Sequence, residues 1–219
     1  YILTIIIVIF AYGMGQIPLV LVQSYQVSKN NDITTADVNR FLETMDFSIL
    51  KLSSNMGLIL MISIFIFAML SFMLAVKYLH KIPFKRLITP NLNIDWNKIL
   101  FGFGLWIVLA FIFEGVMALM HPDTYYMNFK PVSWLFLIVI CIVLLPIQTS
   151  FEELFIRGYL MPAMSLLTKN KWLPWVLSSL LFGLIHGQNP EVDRFGFWTM
   201  QIYYIGAGLF LGLITILDD

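Results

Sequence analysis

Charge is what this 219-residue chain has least of: Asp, Glu, Lys and Arg make up 12% of it, about half the share of an ordinary soluble domain. Hydrophobic side chains supply 59%, and the mean hydropathy is +0.85. These proportions exclude a soluble globular domain and point to a membrane protein. Neither sign of charge is in surplus, with thirteen basic and thirteen acidic residues. There is thus no basic field to hold a polynucleotide, and nucleic acid is excluded as a partner. Cysteine is nearly missing: Cys141 is the single one and lies in an apolar run, which excludes a disulfide framework. No cluster of Cys and His has the spacing of a structural zinc site. A phosphate-binding glycine loop, an H-E-x-x-H element and a G-x-S-x-G element are absent as well, as is any internal repeat.

What the chain does have is long runs without charge. They fall at 1–28, 52–76, 131–151 and 195–217, each long enough for the roughly 20 helical residues that cross a ~30 Å hydrocarbon core. The run 99–120 also qualifies, although it carries Glu114. Two further apolar pieces, 154–168 and 172–187, flank Lys169, Asn170 and Lys171. The expectation is an all-α, polytopic membrane helix bundle with about six membrane helices. It divides into N-terminal membrane helices over 1–130, with a polar loop at 29–51 that holds a short amphipathic helix, and a second region over 131–219. The chain opens inside an apolar run and stops just after another, so it reads as a fragment with a further C-terminal helix beyond Asp219. Lys77, Lys81, Lys85, Arg86 and Lys98 make 77–98 the most basic loop, which places it inside and the loops 29–51 and 121–132 outside.

Ionisable residues within such runs are the informative ones, because each costs about 2.5 to 3.5 kcal/mol to insert and persists when paired or functional. They are Glu114, the pair Glu152 and Glu153, Arg157, and His186. On a helix, Glu153 and Arg157 stand four residues apart with the acid first, the favourable order for an ion pair. Glu152 then points roughly 100° away and faces another helix. If the helices either side of Lys169–Lys171 form an antiparallel hairpin, Glu152 and His186 lie about 26 and 22 Å from its loop at 1.5 Å per residue. Their side chains are therefore expected at similar depth. A carboxylate and an imidazole meeting in a low dielectric are a usable acid and base pair, able to deprotonate a water. In Phe182-Gly183-Leu184-Ile185-His186-Gly187, Phe182 and His186 share a face and the two glycines allow close helix approach.

Glu152-Glu153-x-x-x-Arg157 followed by Phe182-x-x-x-His186, with 28 residues between Arg157 and His186, resembles the paired motifs of the CAAX protease and bacteriocin-processing (CPBP, or Abi) family of intramembrane peptidases. The resemblance covers roughly 130–219. It implies an intramembrane endopeptidase, akin to the CAAX prenyl proteases, in which Glu152 and His186 activate the hydrolytic water and Glu153, Arg157 and Phe182 support them. It also implies a hydrophobic or lipidated peptide or protein as substrate, membrane lipids as surroundings, and a multi-pass position in a bacterial cytoplasmic membrane. The family has a later helix bearing a His and, four residues on, an Asn. Here only Asn189 follows His186, in a loop. With that helix would go an oxyanion-stabilising side chain and a metal ligand, so this fragment alone is expected to be inactive. A divalent metal such as zinc stays open, because Glu152 and His186 are two ligands and do not specify one.

Other readings of the same residues stand beside this one. The Glu pair with Arg157 also suits a buried structural ion pair, the whole set suits a relay in a proton-coupled transporter, and a catalytically inactive relative would serve as a membrane scaffold. Glu114 beside Gly115 reads as a snorkelling or helix-contact acid. Gly208 and Gly212 match G-x-x-x-G and read as packing inside the protein. His80 and His121 lie at segment ends and read as solvated, while the tryptophans near span ends suit an interfacial belt.

Overall fold

The structure is a computed structural model that describes residues 1–89 and 93–218. Among the described residues all regular secondary structure is helical. Five helical runs among the described residues are long and apolar enough to cross a membrane: Ile2–Lys29, Ser54–His80, Trp96–Met120, Pro131–Thr168 and Phe197–Leu217. A shorter apolar helix, α8 (Trp172–Ile185), accompanies them. The chain is an integral, multi-pass membrane helix bundle. The first run is broken at Gly15 and Gln16 into α1 (Ile2–Met14) and α2 (Ile17–Lys29). At Gly15 a β-carbon would lie 2.8 Å from the Cα of Ile64, so the break is also where this segment touches the next helix, backbone to backbone.

The polar loop contains the expected amphipathic helix, α3 (Thr35–Thr44). Thr34 and Asp37 form a capping box, each side chain satisfying a backbone N–H of the other. Its apolar face buries Phe41 completely, edge-on to Phe47, and Leu50 completes the cluster against Leu60. This small core seats α3 on the start of α4 (Ser54–Ala75).

Residues 131–151 and 154–168, two apolar pieces in the sequence, are one continuous helical run of 38 residues, roughly 57 Å long. Two carboxylates do not break a helix when their neighbours keep its hydrogen bonds. Pro146 is absorbed inside α6 (Pro131–Phe155), and a π-helical turn at Ile156–Leu160 leads into α7 (Met161–Thr168). Glu152 thus stands about 32 Å from Pro131 and about 24 Å from Thr168, near the middle of the rod.

Two groups of helices meet there. Beside the first part lie α1 and α4, whose Val8, Ala68 and Phe72, with Val76 just after α4, pack with Phe151 and Tyr159. Beside the second lie α8 and α10 (Phe197–Asp218), which run antiparallel: Gly183 faces Gln201 and Ile205, Ser179 faces Gly208, and Trp175 faces Gly212. The G-x-x-x-G pair is therefore spent on contact with α8, and Trp175 Nε1 donates to the Leu209 carbonyl at 2.8 Å.

His80 is partly buried and hydrogen-bonded to distant residues, not a freely solvated segment end. It ends α4 in a second π-helical turn, Val76–His80, and its Nε2 lies 2.8 Å from the Tyr159 hydroxyl and 2.9 Å from Thr4 Oγ1. Sequence position alone hid this, because the partners are 79 and 76 residues away. α5 (Trp96–Met120) has no buried residue. Its Glu114 accepts a hydrogen bond from the Tyr125 hydroxyl at 2.9 Å, a local contact at the end of the helix.

Candidate active site

Glu152 and Glu153 occupy the last turn of α6, directly before the π-helical turn that carries Arg157. A π-turn adds a residue to one turn and shifts the faces that follow it. Arg157 still reaches back one turn, and its Nη1 donates to Glu153 Oε1 at 2.9 Å. The partners differ in burial: Arg157 is 3% exposed and Glu153 37%. The guanidinium also lies over the Phe182 ring, 4.2 Å from its centre. Its Nε and Nη2 are buried without a hydrogen-bond partner.

With Glu153 occupied by Arg157, Glu152 turns towards α8. Gln148, one turn earlier, donates to its Oε1 at 3.3 Å. Its Oε2 lies 4.0 Å from His186 Nε2. Thus the two residues that the hairpin arithmetic set at similar depth are brought face to face, both largely buried.

His186 caps the C-terminus of α8. Its Nδ1 lies 2.7 Å from the Phe182 carbonyl. A carbonyl can only accept, so Nδ1 carries the proton and, in the neutral ring, Nε2 presents its lone pair to Glu152. Two acceptors then face each other across a distance too long for a direct hydrogen bond. A single water donating one hydrogen to each spans about 4.4 Å, close to the observed gap. The arrangement is suited to hold a water between two bases and to take a proton from it.

The imidazole is flanked by rings, Phe182 at 4.2 Å and Tyr204 at 4.9 Å between centroids. Phe182 comes from the same helix, four residues earlier. Tyr204, together with Asn189, Gln148 and Glu191, was not singled out by sequence reasoning as part of this site. Gln148 had a signal, since it lies one helical turn before Glu152. Tyr204 had none, because an aromatic residue in an apolar helix is ordinary.

As metal ligands, Glu152 and His186 fall short by themselves. Two donors on one zinc stand about 3.4 Å apart in a tetrahedral site, a little closer than the observed 4.0 Å. Among the described residues, no group of three or more His, Cys, Asp and Glu is placed to hold an ion. A separate cleft of about 770 Å³ lies between the N-terminal ends of α4 and α6, lined by Asn55, Lys130, Ser133 and Phe136 among others, and contains none of these residues.

Comparison with known proteins bears on the same region. Residues 131–219 match the model of a family described as type II CAAX prenyl endopeptidase Rce1-like. Those residues include Glu152, Glu153, Arg157, Phe182 and His186. A protein of Bacillus subtilis (strain 168), named as the uncharacterized protein YyaK, is 37% identical over 154 residues, which is 70% of this chain and 51% of that protein. The chain thus spans about half the length of this curated relative. No solved structure matches.

Proposed function

We propose, from the match of residues 131–219 to the model described as type II CAAX prenyl endopeptidase Rce1-like, that this chain supplies the hydrolytic site of an intramembrane endopeptidase. The observation that carries the proposal is the opposition of Glu152 Oε2 and His186 Nε2 at 4.0 Å, with His186 Nδ1 already bonded to the Phe182 carbonyl. A water held between them loses a proton to Glu152 as its oxygen adds to the carbonyl carbon of the scissile peptide bond. The proton held by Glu152 passes by way of His186 Nε2 to the leaving nitrogen as the C–N bond breaks, which restores the Glu152 carboxylate; the new carboxyl group gives its proton to the amine, so the products are a carboxylate and an ammonium group.

The remaining residues hold this pair in place. Gln148 fixes one oxygen of Glu152 and leaves the other for water. Arg157 occupies Glu153 and braces Phe182, the residue that in turn holds His186. Enclosure among apolar helices favours a substrate that can enter the bilayer, a hydrophobic or lipidated peptide or protein segment, in a bacterial cytoplasmic membrane.

The test is cleavage, by the intact protein in lipid nanodiscs, of an internally quenched peptide with an S-prenylated cysteine and of its unprenylated counterpart. Glu152→Gln and His186→Ala are each expected to lower the rate by at least ~100-fold, within the range for loss of an acid or base group. Helical circular dichroism should stay unchanged. A correctly folded variant of either kind that retains more than about a tenth of the rate would reject the assignment.

A further inference from the structure

His186 sits where its helix ends, and that is a poor place to fix a side chain. Only one hydrogen bond ties the imidazole to α8, from Nδ1 to the Phe182 carbonyl, and a ring can swing about a single bond of that kind. Phe182 covers part of the imidazole from the same helix. The remaining cover comes from Tyr204 on α10, whose ring lies 4.9 Å away at an angle of 34°.

Tyr204 is held more firmly than an apolar helix contact requires. Its side chain is 8% exposed. Asn189 Nδ2 donates to its hydroxyl oxygen at 3.1 Å, and that hydroxyl donates to Glu191 Oε2 at 3.4 Å. The order of donors and acceptors is thereby fixed: an amide N–H to the phenol oxygen, and the phenol O–H to a carboxylate. Asn189 and Glu191 stand at the start of α9 (Pro190–Phe195), the short helix that follows His186 directly. The segment after the candidate base therefore folds back to anchor the ring that covers that base. Asn189 occupies the N-cap position of α9 but makes no capping bond there; its amide serves Tyr204 instead.

We infer that Tyr204, anchored at its hydroxyl by Asn189 and Glu191, is the positioning residue that keeps His186 Nε2 directed at Glu152. It touches neither water nor substrate in this role. The inference rests on the hydrolytic reading of Glu152 and His186. Its signature is a loss in kcat with little change in KM, because the ring sets the aim of a reacting group and does not bind the peptide.

The experiment compares Tyr204→Phe, Tyr204→Ala and Asn189→Ala in the intact protein, assayed with the prenylated peptide. In parallel, the 15N spectrum of labelled histidine is recorded, in which this chain contributes three residues. Tyr204→Ala should lower kcat about 100-fold with KM within about threefold, since aim errors near an ångström cost rates of that size. It should also convert His186 from a single Nδ1–H tautomer to a mixture. Tyr204→Phe keeps the ring and loses the anchor, so kcat should fall only about 3- to 10-fold, and Asn189→Ala should give the same loss without adding to it. If the Ala variant does not fold, the Phe variant decides alone. A Phe variant within twofold of the parent in kcat, or an unaltered His186 tautomer in the Ala variant, overturns the inference. The spectrum needs no activity, so retained cleavage by Glu152→Gln would sink the hydrolytic reading while leaving the positioning of His186 to be judged separately.

Discussion

Gly158 and Leu87 are in backbone contact: a β-carbon on Gly158 would stand 2.7 Å from the Leu87 carbonyl oxygen. The turn Phe84–Leu87, which follows α4, is thereby fastened to the π-helical turn immediately after Arg157. The site is thus braced from the loop side as well as by its own helices.

Gly158→Ala is expected to break this brace. The obstructing atom belongs to backbone and cannot rotate away, so the turn must move by several tenths of an ångström. Overpacking of this kind costs about 1 to 3 kcal/mol. The measurement is thermal unfolding in detergent together with proteolysis at Lys85 and Arg86. An unchanged melting temperature and an unchanged cleavage pattern would show that the contact is not tight.

Replacing either member of the Glu153 and Arg157 pair should have unequal effects. Glu153 is more than a third exposed and can find water when its partner is lost, whereas Arg157 is 3% exposed and cannot. Its Nε and Nη2 already lack hydrogen-bond partners, so losing Glu153 leaves a buried cation with no hydrogen bond. Glu153→Gln, which keeps an acceptor, should cost less than 10-fold in rate, and Glu153→Ala considerably more. Arg157→Lys should also be severe, because a lysine ammonium cannot both reach Glu153 and lie flat on Phe182. Rates and unfolding midpoints for the three variants check the order. A Lys variant with parental activity would mean that the planar group is not needed.

Much of this was legible in the sequence. The charge-free runs gave the spans, and the four-residue step from Glu153 to Arg157 gave the ion pair. Helical rise alone put Glu152 level with His186, because the hairpin at Lys169–Lys171 is short and apolar helices have little choice but to run antiparallel. The rest depended on contacts that no local pattern encodes. Glu152 and Glu153 look like the limits of two apolar segments, yet Pro131–Thr168 is continuous because partners meet their cost. His80 carries no local sign of its contacts, because its partners Thr4 and Tyr159 lie far away in the chain. Tyr204 carries no charge and no motif, so only the fold of α9 against α10 reveals its place beside His186.

Tyr159→Phe separates structural from catalytic polar contacts. The hydroxyl lies 2.8 Å from His80 Nε2, in the cluster where Thr4 also reaches that nitrogen. Its removal should cost about 1 kcal/mol of stability, the usual net value of one hydrogen bond, and leave peptide cleavage within about twofold. A lower unfolding midpoint with a preserved rate is the expected result. A loss in rate approaching that of His186→Ala would instead assign this histidine cluster to the chemistry.

Acid should loosen the loop between α2 and α4 before it touches the bundle. The Asp37 carboxyl accepts from the Thr34 hydroxyl at 2.7 Å and its backbone N–H at 2.9 Å, and these bonds hold it below the usual carboxylate range. Asp32 is held low by Lys51, and Asp46 by the side chain and backbone of Ser48. A carboxyl with a depressed folded value lends stability that is present above its unfolded pKa of about 4 and is lost as pH falls through the lower, folded value. Protection of α3 should therefore be constant from neutrality down to about pH 5 and decline below about pH 4. Hydrogen exchange at Val38 to Leu42 as a function of pH measures it, and Asp37→Asn should reduce the protection at neutral pH and flatten its fall in acid. Protection that instead increases from neutrality towards pH 4 would contradict the sign, because it would require the protonated form to be the one the fold prefers.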